Sequence, residues 1–450
     1  MKRTFSLALT ALLLLGSIPL TACKDDSNPQ TRDENVLRVA SWDEYIDMGG
    51  SVYEGDDLDL LDFKAWYKEL TGIDLDNTRP LYEEFEDWYE DVYEEEITVE
   101  YIALQDNETM YNKIKMGDSY DLLCPSEYMA MKLQAEKKII PFNEDFFDPT
   151  IKNNYYAQTV SPYTEEIFNN VGLSEYIAGY MWGTTGFVYN PANVDAGVVS
   201  SWHCLTSEAC ARTITAKDNV RDSYFMGLGM LYEEELLALD QNSPDYRNIL
   251  TQKMNDASEE TMLKVKNLLE KARANVYGLE TDEAKMDIIM GELSASYQWS
   301  GDAVFVMDEA EDKGLELGYS IPKSASNLWF DGWVMMEGAN QKAATAFINF
   351  LSMPQNAIRN MYYIGYTSCL GGQDIYEYVD YTYGDEEGVE YDLSYFFGQE
   401  YEPLIVPEEQ LSRQLFAQYP DVNTKNRLVV MKYFDKKTNE RANRMWNNIK

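Results

Sequence analysis

The chain has 450 residues, 45% of them apolar and 26% charged, and its formal charge at pH 7 is −41. That composition supports a packed core, and the length suits two domains of ordinary size. The strong negative field makes nucleic acid and anionic lipid headgroups poor partners and raises the local concentration of cations near any cleft.

In chain order, the first feature is a secretory signal over residues 1–22. Lys2 and Arg3 form its basic start, and residues 7–20 form an apolar stretch too short for a membrane span of about 20 residues. Its end, Leu20-Thr21-Ala22-Cys23, resembles a bacterial lipobox. By that resemblance Cys23 becomes the mature N-terminus and carries acyl chains such as palmitate, holding the protein on the outer side of the cell membrane. Each buried lipid methylene contributes about 0.8 kcal/mol, so two chains anchor stably where one does not. Without Lys2 and Arg3 the charge becomes −43. Residues 24–35 are polar, contain Pro29 and read as a flexible tether.

Residues 36–40 predict a first strand, closed by Ser41-Trp42-Asp43-Glu44-Tyr45. Two rings bracket two carboxylates there, which suits a small organic cation: ring faces attract an ammonium by about 0.5–2 kcal/mol, and a carboxylate adds a charge-assisted hydrogen bond. Residues 47–79, rich in Asp, Gly and Tyr, read as an acidic insertion. Residues 82–93 place apolar side chains at 82, 85, 89, 92 and 93, a helical spacing with acids opposite. Residues 97–101 alternate like a strand. A helix over 106–116, a buried strand over 120–125 and a helix over 129–136 follow. That alternation argues for parallel sheets. Residues 179–190 have β character. Asp256 is the expected cap of a helix carrying Met262, Val265, Leu268 and Leu269 on its apolar face, and residues 342–353 form a further helix.

Catalytic signatures are sparse. His203 is the single histidine, no serine sits in GxSxG, and HExxH, GxGxxG and the phosphate-binding GxxxxGK[ST] are absent from the sequence. No catalytic residue, metal ligand or cofactor is expected, and a binding protein fits better than an enzyme. Of the five cysteines, four remain if Cys23 is acylated. They allow three pairings, with Cys204 and Cys210 the first choice for a disulfide. Trp182 and Trp202 are expected in the core.

Several separated segments together resemble the bacterial polyamine-binding proteins of ABC importers, the spermidine/putrescine receptors. They are Trp42-Asp43-Glu44-Tyr45; Asn107-Glu108-Thr109-Met110-Tyr111 with Tyr120-Asp121-Leu122-Leu123 and Pro125-Ser126-Glu127-Tyr128; Trp182-Gly183-Thr184-Thr185-Gly186 with Ser201-Trp202; Arg221-Asp222; and Trp299-Ser300-Gly301-Asp302 with Trp329-Phe330-Asp331 and Ile364-Gly365-Tyr366. The order and spacing are shared across nearly the whole mature chain outside the insertion and residues 370–425.

The resemblance implies an α/β, two-lobed periplasmic-binding-protein fold of type II. Each lobe would be a mostly parallel sheet flanked by helices, with two chain crossings as a hinge. Lobe 1 is expected over 36–182 and 326–365, including the insertion, and lobe 2 over 183–325 and 366–450. On the family pattern, Trp42, Asp43, Glu44, Tyr45, Ser126, Glu127 and Tyr128 bind ligand from the first lobe. Asp222 and Trp299 do so from the second, with Trp329, Asp331 and Tyr366 near the return crossing. Asp331 would hold one amine and Asp222 an outer one, with Asp43 and Glu44 as acceptors opposite, while rings cover the methylenes at about 25 cal/mol per Å². One departure is visible. An acid usual two residues before Arg221 is here Asn219, so either Asp218 takes its place through a one-residue shift, or Glu127 supplies the carboxylate, or one end of the pocket has lost a charge. The implied partners are a polyamine and the membrane subunits of an importer, with the protein a monomer. Other readings keep the fold with another cationic or zwitterionic solute, or replace it by an exported acidic hydrolase or adhesin.

Overall fold

The computed structural model describes residues 34–280 and 283–450. The expected signal segment, the acylated Cys23 and most of the tether lie outside the described residues. No helix among the described residues is long and apolar enough to cross a membrane.

The first half runs β1 (Val36–Trp42), α1 (Leu58–Thr71), α2 (Leu81–Tyr93), β2 (Thr98–Leu104), α3 (Asn107–Met116), β3 (Leu122–Leu123), α4 (Glu127–Ala135), α5 (Pro162–Val171) and β4 (Ala178–Tyr189). It continues through β5 (Ile214–Ala216), α6 (Val220–Leu237), α7 (Glu259–Asn275), β6 (Gly278–Leu279), α8 (Glu283–Ile289), β7 (Ala295–Trp299), α9 (Ser300–Glu311), β8 (Ser326–Met336), α10 (Gln341–Leu351), α11 (Pro354–Ile364), α12 (Gln373–Tyr383), β9 (Leu428–Val430) and α13 (Lys436–Asn447). The strands form one path in the order β2-β1-β3-β8-β4-β7-β5-β6.

The two ends of this path are parallel units and its middle is not. β1 pairs in parallel with β2 and β3, and β5 pairs in parallel with β7 and β6. Between them β4 and β8 run antiparallel, with an irregularity in register between Asp331 and Gly332. β4 and β8 are buried along their whole length, which is why both read as continuous runs rather than alternating ones. Two apolar clusters result. One gathers β1, β3, α2, α10 and α11, and the other lies around β5, α6, α7 and α13. Trp182 and Trp202 are both buried as expected, and the Trp202 indole N–H donates to the Ala325 carbonyl at 2.9 Å. This is the two-lobed α/β architecture.

The acidic insertion is a folded piece. The Asp57 carboxylate accepts from the backbone N–H groups of Asp59 and Leu60 and caps α1, and Phe63 stacks on Tyr362 of α11 with ring centroids 3.7 Å apart. Beneath it, buried Arg359 pairs with Asp47 at 2.9 Å and with Glu84 at 2.8 Å, and the Tyr53 hydroxyl donates to Asp47. Trp66 stacks on Tyr381 of α12 at 4.5 Å, Tyr395 meets Tyr163 of α5 at 5.1 Å, and Phe396 stacks on Trp182 at 5.5 Å. The last stretch turns the other way: β9 pairs with the start of β8, and Trp446 of α13 is buried in the second cluster.

Three expectations are corrected. Cys124, Cys204, Cys210 and Cys369 are all free and buried, so the Cys204–Cys210 disulfide is not formed; each packs as a small apolar side chain. The buried face of α2 is Leu81, Phe85 and Tyr89, while Val92 is exposed because a four-residue stride, not the mixed spacing, meets the core. The cap of α7 is Ser258, which accepts from the Thr261 N–H; Asp256 instead accepts from the Ser258 N–H at 2.9 Å and the Thr261 hydroxyl at 2.6 Å.

Candidate functional site

A cleft of about 670 Å³ opens where the two parallel units face each other. Ligands of parallel α/β sheets sit at the carboxyl ends of the strands, where the following helices begin. Here the starts of α3, α4, α6 and α9 all reach the cleft, through Asn107, Glu127, Arg221 and Asp302 among others. A helix N-terminus favours anions. Each of these four carries a carboxylate in its first turn: Glu108, Glu127, Asp222 and Asp302. Those acids reverse the sign that the backbone alone would present.

The first-lobe wall is built around Asp331. It lies on β8 at the register irregularity, 5% exposed, beside Pro125 and Ser126. Its Oδ2 accepts from the Trp42 indole N–H at 3.0 Å and from the Tyr45 hydroxyl at 2.8 Å. Its Oδ1 is buried with no partner at hydrogen-bond distance among the described residues, although the neighbouring Ser126 hydroxyl is the strongest of the donors that favour the charged carboxylate. Burial pushes its carboxyl up from the ordinary aspartate range, opposed by the donors around it. Glu127 is buried against it and is pushed up to about 8, by desolvation first and by the Asp331 charge second. The Asn107 amide donates to the Ser126 hydroxyl at 3.0 Å and fixes the turn into α4.

Rings complete this wall. Tyr366 meets Trp329 edge-on at 5.2 Å and Tyr45 at 6.3 Å, and the Trp329 indole N–H is tied to the Thr184 carbonyl at 3.1 Å. Gly301 sits under Tyr366, and a Cβ there would overlap the ring. Geometries of this kind hold flat faces in place around a chain-like solute.

The second-lobe wall differs in charge. Lys217, fully buried, places its Nζ 3.5 Å from the centre of the Trp299 ring and 3.8 Å from Asp302. Lys285 of α8 lines the cleft and pairs with Asp302 at 2.8 Å; the Tyr366 hydroxyl also donates to Asp302, at 3.3 Å. Asn219 caps α6 by accepting from the Asp222 N–H at 2.8 Å, and its amide donates to the Asp222 carboxylate. Burial pushes Asp222 up, while Asn219, Lys217 and Arg221 pull it down. Arg221 lies 3.9 Å over Phe434 and 5.1 Å over Tyr128 of the opposite wall.

The chain matches the model of bacterial extracellular solute-binding proteins over residues 81–372. It belongs to that family. Among relatives of this solute-binding protein is the spermidine/putrescine-binding periplasmic protein of Salmonella typhimurium, 27% identical over 60% of this chain and 70% of that one. The putrescine-binding periplasmic protein SpuD of Pseudomonas aeruginosa is 24% identical over 79% and 82%. Among solved structures, the PotD substrate-binding protein of a Streptococcus pneumoniae spermidine/putrescine ABC transporter superposes with a TM-score of 0.58 at 24% identity. It covers 92% of this chain and 98% of that one. The TpPotD lipoprotein of Treponema pallidum gives 0.60 at 16% identity, with 92% and 99% covered. The solute-binding protein therefore shares their two-lobed fold, and the relatives are binding proteins rather than enzymes.

Of the residues singled out in the sequence, Trp42, Asp43, Tyr45, Ser126, Glu127, Tyr128, Asp222, Trp299, Trp329, Asp331 and Tyr366 all line this cleft. Glu44 does not: at φ 52° it makes the left-handed turn after β1 and is exposed, outside the lining. The one-residue shift at Asp218 is also corrected, because that carboxylate accepts from the Trp446 indole at 3.2 Å and pairs with Lys450 at 3.5 Å. Asp106, Arg221 and Asp302 line the cleft without having been singled out, although each adjoins or lies in a segment that carried the resemblance. Lys285, Asn439 and Asn443 also line it and had no such signal, since they come from outside every quoted segment.

Proposed function

We propose that this solute-binding protein captures a polyamine of the putrescine or spermidine class between its lobes and delivers it to an ABC importer. One observation carries the reading: Asp331 Oδ1, buried without a partner at hydrogen-bond distance among the described residues in a ring-walled acidic cleft. A buried acceptor left unsatisfied costs about 1–3 kcal/mol, more when charged, and a protonated amine supplies the missing donor. Trp42, Tyr45, Trp329 and Tyr366 then cover the methylenes, and closure of the lobes removes water from both. The relatives' own ligands, spermidine and putrescine, support the same chemistry.

In this reading β4 and β8 are the two crossings of the hinge. Lobe 1 comprises 36–182 and 326–365, and lobe 2 comprises 183–325 with the C-terminal stretch, except that 367–403, packed on α1, α5 and α11, travels with lobe 1. A diacylated Cys23 tethers the receptor to the cell membrane, and it works as a monomer without catalysis, metal or cofactor. The test is a thermal-shift panel. Putrescine or spermidine at 100 times its Kd stabilises by about 2.7 kcal/mol and raises the midpoint, whereas glycans and peptides leave it unchanged. No shift with any amine ends the reading.

A further inference from the structure

The cleft is electrically lopsided. Its first-lobe wall carries Asp43, Asp106, Glu108, Glu127 and Asp331, with no lysine or arginine of that lobe among the cleft-lining residues. Its second-lobe wall carries two acids, Asp222 and Asp302, against Arg221 and Lys285 in the lining and Lys217 directly behind Trp299. Asp302 is already met by both lysines, and Asp222 by the Asn219 amide. A ligand ammonium placed on Trp299 would face the Lys217 charge through the ring, and like charges so close repel.

What the second wall offers instead is donors. Asn219, Asn439 and Asn443 line it too, the Asn219 amide already donating to Asp222 and the Asn443 amide to the Asn439 carbonyl. The Arg221 Nη2 donates to the Lys432 carbonyl, while its Nε and Nη1 are buried with no acceptor among the described residues, and Arg221 lines the cleft. Among the lining residues the unmet acceptors are Asp331 Oδ1, Asn327 Oδ1 and Asp302 Oδ2, the last facing Lys217 at 3.8 Å, and the unmet donors are Arg221 Nε and Nη1.

We propose that the preferred ligand is a linear amine with an ammonium at one end and an oxygen acceptor at the other, a mono-N-acylated polyamine or an ω-amino acid, with Arg221 and Lys285 setting that preference. The inference rests on the amine reading above and deepens it. The ammonium meets Asp331, the methylenes lie along Trp329 and Tyr366, and the acyl or carboxyl oxygen faces Arg221 and Lys285.

The experiment is titration calorimetry of the purified chain with four probes: N-acetylputrescine, 4-aminobutyrate, putrescine and spermidine. One of the first two binds at least tenfold tighter than both of the last two, and which of them leads tells whether the acceptor is an amide or a carboxylate. Lys285→Gln, a partly exposed position, narrows that gap to threefold or less, as does Arg221→Gln. Spermidine or putrescine binding within threefold of the better acceptor-bearing probe, or a gap that survives both variants, overturns the proposal and leaves the amine reading standing. No binding by any of the four removes both.

Discussion

Replacing Asp331 by Asn separates binding from stability. The amide oxygen still accepts from the Trp42 indole and the Tyr45 hydroxyl, which now hold the carboxylate at 3.0 and 2.8 Å, so the local packing survives. The charge is what disappears. A hydrogen bond to an ionised group contributes about 1.5–3 kcal/mol and a neutral one about 0.5–1.5. The difference, roughly 1–1.5 kcal/mol, is about a five- to twelvefold loss of affinity for putrescine. The ligand-free protein moves the other way. Burial raises the Asp331 pKa in the folded state, so holding that carboxyl ionised at neutral pH opposes folding, and Asn relieves it. Calorimetric titration and thermal unfolding of the same two proteins check both halves: weaker binding with a ligand-free midpoint equal to or above the parent. Affinity within threefold of the parent refutes the reasoning, and a midpoint that falls together with affinity shows that Asp331 is structural.

Five further outcomes are expected. Glu127, pushed up to about 8, is mostly protonated at pH 7; a cation beside it favours the charged form, so binding releases a proton, and heats at pH 7 differ between buffers of high and low ionisation enthalpy. The same raised pKa stabilises the ligand-free fold below about pH 4.5 and loses that contribution as the pH climbs through about 8, readable in urea midpoints across that window. Arg359→Met strands the buried Asp47 charge and lowers unfolding free energy by about 3–5 kcal/mol, with loosening of the insertion visible in amide exchange over α1. Gly301→Ala displaces the Tyr366 ring from its place against Trp329 and weakens amine binding at least fivefold, whereas equal affinity would show the ring wall to be irrelevant. Cys23→Ser moves the protein from the membrane fraction to the soluble fraction in the native host, and persistence with membranes would defeat the acyl anchor.

Much of the arrangement was legible because local pattern and global fold agree. The runs at 36–40 and 179–190 become β1 and β4, and the acid between Phe330 and Gly332 becomes the centre of the cleft because a carboxylate in a fully buried strand has few other uses. Glu44 falls outside the cleft lining because motif adjacency says nothing of side-chain direction, and it is exposed at a left-handed φ. The second wall was the harder part. Lys217 and Lys285 meet at Asp302 from strands and helices 68 residues apart in sequence, and no spacing rule brings them together. The cysteines differ for a related reason: closeness in sequence at 204 and 210 sets a short loop, but each lies buried in its own helical turn as a free thiol.

The single ladder formed by β4 and β8 has a mechanical consequence. Its hydrogen bonds run unbroken from Leu328 to Asp331 and resume, out of step, at Gly332. Any swing of one half against the other that keeps those bonds must flex at that step, so the aspartate at the step turns with the swing. On the proposed hinge, the angle between the halves and the aim of that carboxylate are one coordinate, so an amine that fixes the second would also set the first.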